Sequence, residues 1–256
     1  MRSIGIIPAR LDASRFPRKP LAKIHGMPMI GHCYHRTKLA LGKDSTYVAT
    51  CDEEIADYIR ELGGQVIMTS ASHTRATTRT AEALELIEKE KKVKIDIVVM
   101  VQGDEPLINP RSIREMLPFF ENHDIDIVNI MSKIESYNQF LDKNNVKVVV
   151  DNNLDALYFS REPIPSPWKG IENIPIYMQT GIIAFRKDIL LSFNNTKESS
   201  LEIAESIDMN RVLENSGTIR MLATDLITIG VDTPQELIDA EDIMRNDEIM
   251  HLYLTL

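Results

Sequence analysis

The 256-residue chain lacks several sequence features that would identify a function directly, beginning with cysteine-rich metal sites and long apolar segments. It holds two cysteines, Cys33 and Cys51, and neither has a metal ligand nearby at the spacing of a zinc site. Two thiols in a chain of this size favour reduced cysteines in a cytoplasmic protein. No apolar run approaches membrane-spanning length, and no signal-peptide core precedes the first strand. We therefore expect a cytoplasmic protein without a membrane partner.

Positive charge is also in short supply. Lys and Arg number 29 against 38 Asp and Glu, which gives a net charge of -9. This balance argues against broad binding of nucleic acid, so we expect no nucleic-acid partner. An anionic ligand must then meet a local basic segment or a metal ion. No Gly-x-Gly-x-x-Gly follows the first strand, which excludes the fingerprint of a Rossmann dehydrogenase.

The first half of the chain alternates β-branched apolar runs with amphipathic stretches. The predicted strands are Ile4–Pro8, Tyr47–Thr50, Gln65–Met68 and Asp96–Val101. The predicted helices are Pro28–Leu41, Glu53–Leu62 and Thr78–Lys89. Runs without polar alternation are typical of strands buried on both faces of a parallel sheet. Strand–helix–strand repetition at this spacing predicts a right-handed α/β core.

The second half is less regular. Its predicted strands are Val146–Val150, Leu157–Ser160, Thr180–Phe185 and Ile219–Leu222, and its predicted helices are Leu201–Leu213 and Thr233–Met244. A proline-rich connection, Pro163–Pro175, lies between them. We expect one domain over residues 1–256, of the α/β class, with a mixed central sheet and a β-rich insertion.

A basic segment follows the first strand. Residues 10–19 contain four cations: Arg10, Arg15, Arg18 and Lys19. In an open α/β sheet, ligands bind beyond the carboxyl ends of the strands, and cations there suit a triphosphate. The alternative is a solvated basic loop, because a short basic segment is a weak motif by itself.

Two acidic segments also follow predicted strands. Gln102-Gly103-Asp104-Glu105 comes after the most apolar strand, and Asp232 precedes the last helix. Mg²⁺ prefers one or two carboxylates together with phosphate oxygens, so Asp104 and Asp232 form a candidate two-carboxylate magnesium site. The alternatives are an ordinary turn for the first segment and a helix cap for Asp232, although Thr233 can take the cap instead.

A polar segment, residues 69–79, leads into a predicted helix. It offers hydroxyl groups, the cations Arg75 and Arg79, and a helix N-terminus. These groups suit a nucleotide, and they also suit ordinary capping.

Taken together, these segments resemble the 3-deoxy-manno-octulosonate (Kdo) cytidylyltransferases. The resemblance begins with Ile7-Pro8-Ala9-Arg10 and Ser14-Arg15-Phe16-Pro17, continues through Val101–Pro106 and Ala156–Arg161, and ends with Gly230–Pro234. It covers nearly the whole chain, with the segments in order.

The resemblance implies a nucleotide-diphospho-sugar transferase fold, a homodimer, and Mg²⁺-dependent transfer of CMP from CTP to a 2-keto sugar acid. It implies Lys19, Arg10 and Asp104 as catalytic residues, and Asp104 and Asp232 as metal ligands. The residues implied for the nucleotide are Arg10, Ser14, Arg15, Lys19, Arg79 and Gln102. Those implied for the acceptor are Gln102, Gln179, Asp208 and Arg211. Residues 1–125 then mainly bind the nucleotide, and residues 126–256 the acceptor and the second subunit.

The chain departs from the family pattern mainly on the acceptor side. The family's His-Leu-Gly-Ile-Tyr is Gln179-Thr180-Gly181-Ile182-Ile183 here, and its Glu-Gln-Leu-Arg is Asp208-Met209-Asn210-Arg211. In the polar segment, Arg75 and Ala76 replace a small hydroxyl residue and a glycine, and Arg18 replaces the glycine of a turn.

These departures keep three alternatives open. One is cytidylyl transfer to another acidic acceptor: a modified octulosonate, a nonulosonate or a phosphonate. Another is use of a different nucleotide. The third is a non-catalytic homologue that binds nucleotide or sugar, although Lys19, Asp104 and Asp232 are all present.

Overall fold

The computed structural model describes residues 1–12, 16–170, 174–226 and 228–254. The strands are β1 Ser3–Ala9, β2 Lys23–Ile24, β3 Met27–Pro28, β4 Thr46–Thr50, β5 Gln65–Met68, β6 Ile97–Val101, β7 Ile127–Lys133, β8 Lys147–Val150, β9 Ala156–Ser160, β10 Tyr177–Arg186 and β11 Arg220–Thr224. The helices are α1 Met29–Leu41, α2 Glu53–Glu61, α3 Ala76–Lys91, α4 Pro110–Met116, α5 Tyr137–Leu141, α6 Lys187–Asn195, α7 Ser200–Glu205, α8 Met209–Glu214 and α9 Pro234–Met244.

Seven strands form the central sheet in the order β11-β7-β10-β6-β1-β4-β5. Strand β1 pairs in parallel with β4 and β6, whereas β10 is antiparallel to both β6 and β7. The predicted mixed α/β sheet is therefore confirmed.

Helices cover both faces of this sheet. In β6, Ile97, Val99 and Val101 pack with α1, α2 and α4 on one face. On the other face, Val98 and Met100 pack with α3 and α6. Both faces of the strand are buried, which explains its unbroken apolar run.

A hairpin of β8 and β9 extends the sheet at one edge of the core. Strand β10 pairs with β6 only from Ile182 onward, so its first residues reach past the carboxyl end of β6. There Tyr177 and Met178 pair with Val148 and Lys147 of β8, and β9 pairs with β8. This hairpin is the β-rich insertion expected from the sequence.

The structure corrects one predicted helix. Residues 201–213 form not one helix but the end of α7 and most of α8. The break lies at Ser206, whose φ of 55° is left-handed and ends α7. The apolar spacing of the sequence continues across the break although Leu201 and Ile203 of α7 are exposed, so periodicity alone did not reveal it. Strand β7 and helices α4, α5 and α6 were not predicted from the sequence.

Within the described residues, no helix is both long enough and apolar enough to cross a membrane.

Candidate functional site

The site lies at the carboxyl ends of two neighbouring parallel strands. Strand β1 ends at Ala9 and β6 at Val101, so the segments that follow them begin side by side. Gly103 allows this approach, because a Cβ atom there would lie 3.1 Å from the carbonyl oxygen of Pro8 and 3.3 Å from Cβ of Ala9. A larger residue would push the acidic segment away from the basic one.

Lys19, Asp104 and Asp232 meet at this edge. Lys19 Nζ lies 2.7 Å from Oδ2 of Asp104 and 2.8 Å from Oδ1 of Asp232. The backbone supports the junction, since the Val231 N–H donates to the Asp104 carbonyl oxygen over 2.9 Å. Three segments far apart in sequence thus place two carboxylates around one cationic centre.

The electrostatics of this cluster hold Lys19 charged. Burial alone lowers the pKa of Lys19, but the charges and hydrogen bonds of Asp104 and Asp232 outweigh burial and raise it. The side chain of Lys19 is only 12% exposed, so the interactions are poorly screened by water.

Asp232 is not the cap of the last helix. Thr233 is the N-cap of α9: its Oγ1 accepts the Glu236 N–H over 3.3 Å, and Glu236 Oε2 accepts the Thr233 N–H over 2.7 Å. The carboxylate of Asp232 is therefore free of the capping role and faces Lys19 and Asp104. A capping box with Pro234 in the first turn fixes the position of Asp232.

A cavity of about 330 Å³ opens beside the cluster. Four of the described residues that line it carry cationic side chains: Arg10, Lys19, Arg75 and Arg79. Three carboxylates also line it, Asp12, Asp104 and Asp232, and two of these are paired with Lys19. The described lining thus has more cations than carboxylates in a chain with net charge -9, which suits a polyanion that also binds a metal ion.

Arg10 and Arg79 have different surroundings in this cavity. Arg10 is exposed, and its Nη1 lies 3.4 Å from the carbonyl oxygen of His73. Arg79 is 2% exposed and donates to Thr69 Oγ1 over 2.6 Å and to the Ser70 carbonyl over 3.3 Å. Arg79 thus braces the polar segment from within. The predicted nucleotide residues Ser14 and Arg15 lie outside the described residues.

A second cavity, of about 300 Å³, lies on the side of the β8–β9 hairpin. Gln102, Gln179 and Asp208, all predicted to bind the acceptor, line it. The two cavities share six of their described lining residues, so they are adjoining parts of one site; these are Thr74, Arg75, Ala76, Gln102, Asp104 and Asp232.

Gln102 and Gln179 are held by the irregular part of β10. Gly181 accepts the Gln102 N–H over 2.9 Å, and a Cβ atom at Gly181 would meet the side chain of Gln102 at 2.9 Å. The Gln179 side chain donates to Oδ1 of Asn129 over 2.7 Å. Asn129 also donates to the carbonyl oxygens of Thr180 and Ile182, where the register of β10 against β7 shifts.

Glu105 is a buried carboxyl group beneath this wall. Its Oε1 accepts the Gly181 N–H over 2.6 Å, whereas Oε2 has no partner among the described residues. Burial and the charge of Asp104 raise the pKa of Glu105 to about 8, against the lowering effect of the Gly181 N–H. The sequence analysis treated Glu105 only as part of an acidic pair with Asp104.

The structure does not bring Arg211 to either cavity. Arg211 is 4% exposed and makes a bidentate ion pair with Glu202, at 2.6 Å for both bonds, and it donates to the carbonyl oxygens of Phe193 and Thr196. The guanidinium N–H groups of Arg211 are thus occupied by partners within the α6–α8 region. The position of Arg211 therefore does not support its predicted role in acceptor binding, which stays a prediction.

Two cations that line the second cavity were not predicted from the sequence as acceptor residues. Arg161 follows β9 and lines the second cavity, where it donates to the carbonyl oxygens of Lys143 and Glu205. Arg75 lines both cavities and pairs with Asp208. The position of Arg161 at a strand end was a usable signal for a site residue, whereas nothing local marks the partner of Arg75, which lies 133 positions away.

A family model described as cytidylyltransferase matches residues 4–221. The chain belongs to the cytidylyltransferase family. The 3-deoxy-manno-octulosonate cytidylyltransferase of Geobacter metallireducens is 42% identical over 93% of this chain and 95% of its own. That of Fusobacterium nucleatum is 38% identical over 97% and 99%.

A solved structure of CMP:2-keto-3-deoxy-manno-octonic acid synthetase in complex with CTP shares the fold. It superimposes with a TM-score of 0.81 at 35% identity and covers 95% of this chain and 98% of that one. The resemblance given by the motifs is thus confirmed for the family and for the fold, and this cytidylyltransferase is an enzyme of the nucleotidyltransferase class.

Proposed function

We propose that this cytidylyltransferase transfers CMP from CTP to the 2-keto sugar acid Kdo and releases pyrophosphate. The observation that carries the proposal is the cluster of Lys19, Asp104 and Asp232 at the border of two adjoining cavities. One cavity is rich in cations and the other is walled by amide and carboxylate groups, as a triphosphate and a polyhydroxy acid require.

CTP fits the first cavity best. Arg10, Lys19 and Arg79 lie around it, and the β- and γ-phosphates need cations as negative charge grows on the leaving group. We extend this assignment to Ser14 and Arg15, which belong to the same basic segment. Gln102 lies where the two cavities join and would orient both substrates.

The donor set of Asp104 and Asp232 fits a magnesium ion. Both carboxylates converge on one centre of positive charge, here the Lys19 ammonium, and hard oxygen ligands are those that Mg²⁺ selects. When bound, Mg²⁺ would supply Lewis-acid stabilisation of phosphate oxygens. We accordingly propose that the enzyme depends on Mg²⁺, with Asp104 and Asp232 as its protein ligands.

The reaction is an in-line displacement that needs no covalent enzyme intermediate. The anomeric hydroxyl oxygen of the acid forms a bond to the α-phosphorus of CTP, and its proton passes to water. The bond between the α-phosphorus and the bridging oxygen breaks, and pyrophosphate leaves with the electron pair. Lys19 and Arg10 stabilise the charge on the leaving group, and the site holds both reactants in position.

The acceptor cavity favours a sugar acid for two reasons. Arg161 offers a cation for the carboxylate, and Gln102, Gln179 and Asp208 offer polar atoms for hydroxyl groups. Asp208 is partly engaged already, since its Oδ2 accepts from Thr77 over 2.6 Å. We assign Arg161, Gln102, Gln179 and Asp208 to acceptor binding. Arg211 instead stabilises the packing of α7 and α8 through its ion pair with Glu202.

A different acidic acceptor is the second candidate. The apolar Ile183 and the pre-engaged Gln179 line the cavity where the family pattern has tyrosine and histidine. Fewer free polar atoms on this wall would favour an acid with fewer hydroxyl groups or with a modified tail.

We further propose a homodimer that works in the cytoplasm, where CTP is made. The support for the dimer is a set of exposed large apolar side chains in the second half of the chain, including Leu157 at 61% and Trp168 at 88% exposed. Sedimentation of the purified enzyme tests the dimer directly, and a monomeric mass at micromolar concentration would contradict it.

The deciding experiment is pyrophosphate release with CTP and Mg²⁺ across a panel of acidic acceptors. The panel holds Kdo, an amino-substituted octulosonate, a nonulosonate and a phosphonate, and a parallel series replaces CTP with ATP, GTP or UTP. Release with Kdo and CTP supports the proposal. Release only with another acid would replace Kdo with that acceptor, and no release with any pair would refute the catalytic assignment.

A further inference from the structure

Arg75 has a position that its sequence context does not reveal. Six of the described residues line both cavities, and Arg75 is the only cation among them. The other charged residues on this border are Asp104 and Asp232. A border between two anionic substrates therefore carries one guanidinium and two carboxylates.

The guanidinium of Arg75 is anchored from the acceptor side. Its Nη1 donates to Oδ1 of Asp208 over 3.0 Å, and its Nη2 donates to Oε1 of Glu198 over 3.2 Å. Asp208 is itself fixed by Thr77 at 2.6 Å. Glu202 Oε1 also lies 3.9 Å from Nη2 of Arg75, so a ligand that takes hydrogen bonds from Arg75 competes with these carboxylates.

The anchor leaves hydrogen-bonding capacity unused. A guanidinium has five N–H donors, and the described part of the chain supplies Arg75 with two hydrogen-bond partners. The side chain is 20% exposed and lines open cavity on both sides. Donors thus remain for oxygen atoms of a phosphate and of a sugar acid.

Electrostatics gives such a residue a definite task. The two substrates are anions that must approach to bonding distance, and their mutual repulsion is strong in a partly desolvated site. A fixed cation attracts each anion whether or not the other is bound, so its charge alone gives no coupling. Loosening of the ion pairs of Arg75 with Asp208 and Glu198 costs free energy only once, so the second substrate binds an arginine that the first has already released, and each substrate binds better once the other is in place.

We propose that Arg75 contacts both CTP and the acid and couples their binding, with Asp208 as the residue that positions it. This inference rests on the proposed function. It predicts a coupling between the two subsites that depends on one side chain.

The test measures binding without turnover. Isothermal titration calorimetry gives the Kd of the α,β-methylene analogue of CTP, whose α–β linkage cannot be cleaved, in Mg²⁺ with and without saturating Kdo. For the unaltered enzyme we expect Kdo to tighten analogue binding by about fivefold or more. For Arg75→Ala we expect the ratio of the two Kd values to fall close to one.

Two conservative variants and a control separate coupling from damage to the fold. Arg75→Lys keeps the charge without the planar fork and should retain part of the coupling. Asp208→Asn keeps the shape, releases the anchor and should lower the coupling without abolishing analogue binding. Arg60→Ala removes an exposed arginine that is ion-paired with Glu53 and Asp57 on α2, and it should leave the coupling unchanged.

The outcomes distinguish this inference from the proposed function. If the unaltered enzyme releases pyrophosphate from CTP and Kdo, and Arg75→Ala keeps the full coupling, the role of Arg75 is refuted and the function stands. Absence of coupling between CTP-analogue and Kdo binding in an active unaltered enzyme also refutes the role of Arg75. If only another acid of the panel is a substrate, that acid replaces Kdo in the titration with the same expectations.

Discussion

The side-chain amide of Gln179 donates to Oδ1 of Asn129 over 2.7 Å, and Asn129 donates in turn to the two backbone carbonyls of β10 that the register shift leaves unpaired. One fully buried amide thus stabilises an irregular strand and fixes Gln179, a residue that lines the second cavity. With Gln179 assigned to the acceptor as proposed above, acceptor binding and the geometry of the sheet would be linked through Asn129.

Removal of this amide should weaken the acceptor side selectively. Asn129→Ala leaves the buried carbonyl groups of Thr180 and Ile182 without a donor, so we expect the free energy of unfolding to fall by about 2–3 kcal/mol. We also expect the KM for the acceptor to rise while that for CTP changes little. Urea denaturation and two-substrate kinetics measure these effects, and an equal rise in both KM values would contradict the link.

Gly181 gives a sharper test of how Gln102 is positioned. A Cβ atom at residue 181 would lie 2.9 Å from Cβ of Gln102. Because Cβ is bonded directly to the backbone, Gln102 can relieve this contact only if its backbone shifts. We expect Gly181→Ala to lower kcat/KM by about tenfold, which corresponds to about 1.4 kcal/mol.

A double-mutant cycle checks that the effect of Gly181→Ala passes through Gln102. If it does, Gly181→Ala added to Gln102→Ala costs little more than Gln102→Ala alone. Additive losses would show instead that the methyl group disturbs the site by another route.

Loss of the Asp104 or Asp232 carboxylate should lower activity without unfolding the protein. Asp104→Asn and Asp232→Asn keep the shape of each side chain and remove its charge, and we expect each to lower turnover by more than about 100-fold at a fixed Mg²⁺ concentration. Asp239→Asn, an exposed residue of α9, is the matched control and should behave as the unaltered enzyme. Turnover near normal in both site variants would remove the metal assignment.

Two buried histidines make stability depend on pH. Burial, together with nearby positive charge, lowers the pKa of His32 and of His35 to about 4, against an ordinary value of 6.5. Between pH 6.5 and 4 the unfolded chain binds more protons than the native one, so the native state loses stability as pH falls through this window. From pH 7 to pH 5 we expect a loss of about 2 kcal/mol for each histidine.

His35→Phe tests this expectation. His35 stacks on the ring of Tyr253 at 4.9 Å, and its Nδ1 is buried without a partner among the described residues. A phenyl ring keeps the stacking and removes the group that titrates. Urea denaturation at both pH values should show a smaller pH dependence in the variant, and an unchanged dependence would exclude His35 as a source.

Arg18 occupies a backbone conformation that favours glycine. Its φ is 59°, in the left-handed region, at the position where the family pattern has a glycine. The ion pair of Arg18 with Glu54 is exposed and contributes little. We expect Arg18→Gly to stabilise the fold by about 1 kcal/mol, as measured by thermal or urea unfolding, and a loss of stability would mean that the ion pair outweighs the strain.

The position of the first cavity was predictable from the sequence because the segments around it are local. The buried strands, the basic segment and the acidic tip each lie within about ten residues, and the parallel order of β1 and β6 brings them together. The pairing of Asp104 with Asp232 was predicted from their positions in loops and from the family resemblance, and the structure places a carboxylate oxygen of each within 2.8 Å of Lys19 Nζ.

The acceptor side was predicted less well because its contacts are distant in sequence. Asn129 lies on β7, a strand that the apolar pattern did not mark, and Asp208 lies next to the break between α7 and α8. Arg211 looks like a ligand in the sequence, yet its partner Glu202 buries it. The apolar periodicity of the sequence does not predict the Arg211–Glu202 ion pair, because the pair depends on how the short helices pack against each other and on the sheet.

The hairpin of β8 and β9 is attached to the part of β10 that reaches beyond β6, through the pairs Tyr177–Val148 and Met178–Lys147. A slip by one residue would turn every side chain of β8 to the opposite face. It would then expose the ammonium group of Lys147, which now donates to three carbonyl oxygens at 2.6 to 2.8 Å. The buried Lys147 ammonium and its three carbonyl acceptors therefore fix the register of the hairpin, and with it the positions of Val146 and Arg161, which flank the hairpin strands and line the second cavity.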